Sequence, residues 1–471
     1  MKNLNDHNFS NRGSQLVQRV DLRGKHIPKH AASGDDIQIL ERHIFKFPRE
    51  RSHYTLGKKE LLDPSLDVKT MWELYKLQEQ ENGRRVLSYG VYLKVFNKYD
   101  LKFQPYRTDT CNTCDKLREQ LDADPENESL KAQKVSHLKE ADMGYKMQKQ
   151  DGRSDGRTQA IWGDMQSVNQ IPKLPTGAAF YKRSYKVFNE DFYLASSGHH
   201  SMFLWGQLEG KKGANDVISA LHTFLETITD ECKHLICWFD GTSSQLKNTT
   251  TLIYLLHRTD STSPLYKFER ISLKYAPPGH TYMAPDRAFG NVSKQMKKRE
   301  VIGDPLELRD IINEDCTCSS AEWLPRDKHV DWKQYLAQYY TTDGSFMRIE
   351  DEPLLMKSRW FSFGFSQIED GPSGDSILVQ HFPNEIRARL SFDKAALWKS
   401  YRVEQTTTRR PEAFETFEAY PSQLLLEDKR IKDLTCQRQW LPLKYRDLDI
   451  YNLGENGDES QDEQDEQDSG S

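Results

Sequence analysis

Three aspartates and one cysteine pair carry the chemistry open to this sequence. Asp164 closes the apolar stretch AIWGDM, Asp240 follows KHLICWF, and Asp286 sits in APDRAFG ahead of a basic amphipathic run. Carboxylates are hard oxygen donors, suited to Mg²⁺ or Mn²⁺ with positions left open for substrate. A pair of such ions can activate a water or 3′-hydroxyl and steady a leaving oxygen, the chemistry of phosphodiester cleavage and transfer. Three nearby carboxylates repel one another strongly unless a cation is present. Each aspartate also has an ordinary reading as a surface or capping residue, most plainly Asp286, since an acid in a first helical turn complements the helix dipole. His280, six residues before Asp286, suits a general base or phosphate contact, or else a hydrogen bond to the loop after Pro277 and Pro278.

Cys111-Asn-Thr-Cys114 has zinc-knuckle spacing, which lets two thiolates take adjacent tetrahedral positions. His137, in KVSHLKEAD, is the natural third ligand, while Asp109, His53 and His30 stand unranked for the fourth. A zinc ion here would be structural, pinning a helical hairpin. A redox pair is the competing reading, but no thioredoxin-like βαβ pattern surrounds it. The seven cysteines are an odd number in a large chain, which points to a reducing compartment rather than a disulfide scaffold.

The elements that must hold these residues fall into blocks. Residues 1–36 lack periodicity and read as a flexible lead. Residues 37–105 look helical. DVKTMWELYKLQEQ puts Met71, Leu74, Tyr75 and Leu77 near one face, and a turn at Asn82-Gly83 leads to SYGVYLKVFNKY. This is the outline of a helix-turn-helix, with Tyr89, Tyr92, Lys94 and Lys98 toward its outer side, although two packed helices would read the same way. Residues 106–150 form the Cys-x-x-Cys helical hairpin, broken at Pro125. From Gln159 to 305 the texture becomes β, β, β, α, β, α, β, α, the order of an RNase H-like core: a mixed sheet flanked by helices in an α/β fold. Asp164 ends its first strand, Asp240 its fourth, and Asp286 opens its last helix. Residues 303–330 look irregular, 306–453 read as an α+β extension, and 454–471 as a disordered acidic tail.

Net charge is −5, yet residues 455–471 hold eight acids and no bases, so the preceding chain sums to +3. Residues 1–110 carry 20 Lys and Arg against 14 Asp and Glu, a surplus that favours phosphate backbones. No apolar run approaches the roughly 18 residues that span a bilayer, and no secretory signal is visible.

GDMQ with PKLPTGAAFYKR, then FDGTSSQLKN, then GHTYMAPDRAFG, resemble in order the blocks of a eukaryotic transposon-derived family with an integrase-type, RNase H-like catalytic domain. The resemblance covers roughly residues 38–305, with weaker echoes near IKDLTCQRQWLPLKY. It implies Mg or Mn ligation by Asp164, Asp240 and Asp286, with Gln245, Asn248 and His280 lining the site. It also implies a Cys-x-x-Cys followed by a His-bearing helix. Gly241, Thr242, Ser243 and Ala288 depart from the family pattern around the acids. The expected function is a transposase- or integrase-like enzyme acting on DNA in the nucleus, with self-association common in such enzymes. The alternative is a domesticated, inactive DNA-binding or chromatin-associated descendant that keeps the fold.

Overall fold

The computed structural model describes residues 32–453 except 48, 52–59, 63–65, 100, 104–110, 154, 342–347, 350–351, 370–375, 381, 394 and 407–412. Residues 1–31 of the expected flexible lead, the acidic tail, His30, His53 and Asp109 therefore lie outside the described residues, while residues 34–36 at the end of that lead are helical. The chain divides into two compact units, residues 1–108 and 109–471.

In the first unit, helices α1 (Gly34–Ile44), α2 (Val68–Glu81) and α3 (Tyr89–Phe96) bury Leu40, Ile44, Met71, Tyr75, Tyr92 and Val95 against one another. Ser33 caps α1 and Asp67 caps α2, each side chain accepting a hydrogen bond from the backbone N–H three residues on. Two expectations fail here. Leu74 and Leu77 are exposed, because Met71, Tyr75 and Glu79, each one turn from the next, define the buried stripe of α2. Tyr92 is fully buried rather than outward, its hydroxyl 3.0 Å from His43 Nδ1. Short strands β1 (Arg49–Arg51), β2 (Glu60–Leu62) and β3 (Lys102–Phe103) form a three-stranded sheet within a stretch that reads as helical.

The second unit opens with a hairpin of α4 (Asn112–Ala123) and α5 (Glu128–Asp151). Next come β4 (Thr158–Met165), β5 (Asn169–Ile171), β6 (Tyr185–Leu194), β7 (His199–Gly206), α6 (Ala214–Thr227), β8 (His234–Phe239), α7 (Thr249–His257), β9 (Arg270–Tyr275) and α8 (Ala284–Lys298). The chain continues through α9 (Glu307–Asp315), β10 (Ser319–Trp323), α10 (Trp332–Ala337), β11 (Arg348–Ile349), β12 (Glu352–Pro353), α11 (Leu354–Lys357), β13 (Trp360–Glu369), β14 (Ser376–Gln380), β15 (Glu385–Arg389), β16 (Lys399–Arg402) and α12 (Asp428–Gln437). The main sheet runs β10-β7-β6-β4-β8-β9-β13-β15-β16. Strands β4, β8 and β9 are mutually parallel, while β6 is antiparallel to both β4 and β7. This is an α/β fold with a mixed sheet flanked by helices.

Alternation sorts the strand residues into two faces. Ile161, Phe192, Cys237, Phe239 and Leu273 pack with α6 and α7 residues such as Val217, Phe224 and Leu252. Ala160, Trp162, Ile236 and Trp238 point the other way, toward Met143 and Met147 of α5. On that same side Val187 and Met202 meet Phe289 and Val292 of α8. The α+β segment after residue 305 joins the same sheet. β10 joins β7 in parallel, and β13 joins β9 antiparallel, so it widens the sheet on both edges. Residues 303–330 are not irregular, since α9 and β10 lie within them.

Candidate functional site

Register explains why two acids distant in sequence come level. Trp162 stands beside Trp238, and Gly163 beside Phe239, in the parallel β4–β8 pair. Asp164 and Asp240 follow one residue later, on the face that the two tryptophans share. On the opposite face Gly163 leaves room for large neighbours, because a Cβ on it would lie 2.8 Å from Phe239 and 2.9 Å from Phe192. α8 packs on the same face and brings Asp286 in its first turn.

Each carboxylate has one oxygen engaged by its own chain. Asp164 Oδ1 accepts from Met165 N at 2.8 Å, and Asp286 Oδ2 from Met283 N at 2.7 Å. Asp240 Oδ2 accepts from the Thr242 hydroxyl. Burial, then the neighbouring Asp240 and Asp286, push the Asp164 carboxyl up to about 8. Asp286 is also raised, by burial and then Asp240, against the lowering pull of the Met283 N–H. The three acids therefore share one electrostatic neighbourhood, though among the described residues they are not gathered as tightly as the cysteine-histidine group below.

Two more acids stand beside them that sequence reading did not single out. Asp191 lies opposite Asp164, and Glu190 opposite Met165, in the β4–β6 pair. Asp191 Oδ2 is 2.6 Å from His200 Nδ1, and burial lifts its carboxyl to about 6 against the pull of His200. Glu190 is fully buried with neither carboxyl oxygen hydrogen-bonded, and burial followed by Asp164 raises it well above the usual range. Both hide inside the strand pattern YKVFNEDFYL, where the only signal is a pair of acids in an otherwise buried run.

The remaining residues named from the sequence take mostly local roles. Asn248 caps α7, accepting from Thr251 N at 2.9 Å and donating to the carbonyls of Ser243 and Gln245. Gln245 is buried in the turn between β8 and α7. Lys247, near Asp240, donates to the carbonyls of Met356 and Ser358 at 2.9 and 3.1 Å. Burial pulls its ammonium down to about 7.

His280 meets the cysteines. Cys111, Cys114, His137 and His280 place one donor atom each so that all four lie within 4.8 Å of one another. Cys111 Sγ is 3.2 Å from His137 Nε2, Cys114 Sγ 3.5 Å from His280 Nε2, and the two Nε2 atoms 3.1 Å apart. Zn–S bonds near 2.3 Å and Zn–N bonds near 2.0 Å imply ligand spacings of roughly 3.3–3.8 Å around a tetrahedron, close to these values. Burial and the adjacent Cys111 thiol push Cys114 up to about 11, while burial pulls His137 down, toward the neutral form that ligates. Such a quartet could hold a metal such as zinc. The seven cysteines form no disulfides. Among the described residues no helix is long and apolar enough to cross a membrane.

No family model matches the chain, and no curated protein matches it either.

Proposed function

We propose that residues 159–305 form an RNase H-like core performing divalent-metal-dependent cleavage or transfer of DNA phosphodiesters, with Asp164, Asp240 and Asp286 as its acids. The observation that carries the reading is the electrostatic neighbourhood these carboxylates share at the ends of two parallel strands and the start of α8, where burial and then Asp240 and Asp286 push Asp164 up to about 8. The order β7-β6-β4-β8-β9, antiparallel at first and then parallel, supports it as well. The donor set fits hard divalent cations, because it offers carboxylate oxygens whose repulsion a cation would relieve. When bound, Mg²⁺ or Mn²⁺ would supply an activated water or 3′-hydroxyl and a neutralised leaving oxygen. The chain's own part is orientation: the Met165 and Met283 N–H groups and the Thr242 hydroxyl each fix one oxygen of an acid. Exposed Lys294, Lys297 and Lys298 give phosphates a counter-charge along α8, toward the end opposite Asp286. The quartet suits zinc, in a structural role.

Asp240→Asn should lower Mn²⁺-dependent nicking or strand transfer on plasmid DNA by at least about 100-fold while the protein stays folded. A variant that cuts as fast as the parent would end the catalytic assignment. The departures Gly241, Thr242, Ser243 and Ala288 around the acids motivate a second reading, an inactive DNA-binding descendant. That reading requires salt-sensitive DNA binding with no Mn²⁺-induced rise in melting temperature.

A further inference from the structure

We infer that Cys111, Cys114, His137 and His280 are the complete ligand set of one zinc ion, and that this ion sets the position of Asp286 by anchoring the loop that launches α8. The second half rests on the function proposed above; the first half stands without it.

The four ligands come from three places: the start of α4, the middle of α5, and the loop between β9 and α8. That loop is tightly seated. Gly279 has φ +75°, and a Cβ there would fall 2.5 Å from Cys111 Cα, so the loop presses directly on the start of α4. The His280 N–H closes a turn onto the Pro277 carbonyl at 2.9 Å, and Gly144 of α5 lies against Pro277. His280 is 3% exposed, with its Nε2 aimed at the other donors.

Five residues separate His280 from Asp286. Within them Met283 is 3% exposed in the cluster with Trp162 and Trp238, and its N–H holds Asp286 Oδ2. Fixing His280 thus fixes the short path to the cap on which the Asp286 carboxylate sits. With the ion removed, the metal bonds that join His280 to the hairpin give way to its contacts with Cys114 Sγ at 3.5 Å and His137 Nε2 at 3.1 Å, each weaker than a zinc–ligand bond. Loop and hairpin can then separate, and the start of α8 loses its anchor.

Elemental analysis of the full-length protein should find one zinc per chain, and X-ray absorption should find two sulfur and two nitrogen neighbours at about 2.3 and 2.0 Å. His280→Ala should lose the zinc, and His280→Cys should keep it. Hydrogen exchange should then quicken by about tenfold or more across residues 277–290 in the zinc-stripped protein and in His280→Ala, with β4 and β8 unchanged and His280→Cys protected. Affinity for Mn²⁺ should fall about tenfold in parallel. Absence of stoichiometric zinc, or His280→Ala holding zinc as tightly as the parent, overturns the site. Unchanged exchange over 277–290 after zinc loss overturns the coupling. Should zinc-loaded protein bind no Mn²⁺, the carboxylate reading falls instead, and the exchange comparison still decides whether zinc anchors the loop.

Discussion

Asp164 ties the acid–base behaviour of the site to its metal chemistry. Its carboxyl is raised to about 8, so in metal-free protein it is mostly protonated at pH 7. The folded value lies above the unfolded value of about 3.9. Its contribution to stability is therefore complete below pH 4 and is lost as pH climbs through about 8. A cation must displace that proton. Mn²⁺ affinity should accordingly rise close to tenfold per pH unit between 6 and 8 and flatten above. Titration calorimetry across that range checks this, and a flat profile from pH 6 to 8 would mean that Asp164 is already ionised. At this scale the sequence is only partly readable. Asp164 and Asp240 stand out because an acid follows a run of strand-type apolar residues. Glu190 and Asp191 do not, since two adjacent acids on a strand look like one inside and one outside. His280 reads as a neighbour of Asp286 along the chain, yet the Pro277–Gly279 turn directs it to cysteines more than 160 positions earlier.

Among the elements, α5 is held to the sheet by a buried ion pair. Asp151 Oδ2 accepts from Lys274 Nζ at 2.7 Å and from Trp238 Nε1 at 2.8 Å, with the two charged side chains 11% and 4% exposed. Burial lowers the Lys274 ammonium and Asp151 raises it again. Asp151→Ala leaves that ammonium buried without its counter-ion, and should cost about 3–5 kcal/mol in urea unfolding. A loss below about 1 kcal/mol would show that Lys274 escapes to solvent. Strands β4, β8 and β9 and helices α6 to α8 were legible because their apolar periods are long and clean. β10 was not: Ser319–Trp323 is an edge strand alternating between exposed and half-buried residues, with no continuous apolar run. Strands β1 to β3, at two or three residues each, fall below what periodicity can register.

For the molecule as a whole, the division at residue 108 assigns the chemistry cleanly. All four quartet residues and all three principal acids belong to the second unit. Residues 109–471 produced alone should therefore carry one zinc and bind Mn²⁺ as the full chain does. Loss of zinc from that fragment would place a ligand within residues 1–108, where His30 and His53 were first considered. The sheet's breadth was the least legible feature at this scale. A strand's partners are chosen in three dimensions, and β13 completes an edge that the linear pattern of residues 159–305 leaves open.

Surface connections generally tolerate added length, since each doubling of a flexible loop costs only about 0.6 kcal/mol. Residues 281–285 are denied that latitude, being tethered to the quartet at one end and to the Asp286 cap at the other. A single glycine inserted between Tyr282 and Met283 would act as a misfitted spacer, leaving the chain able to satisfy one tether only at the expense of the other.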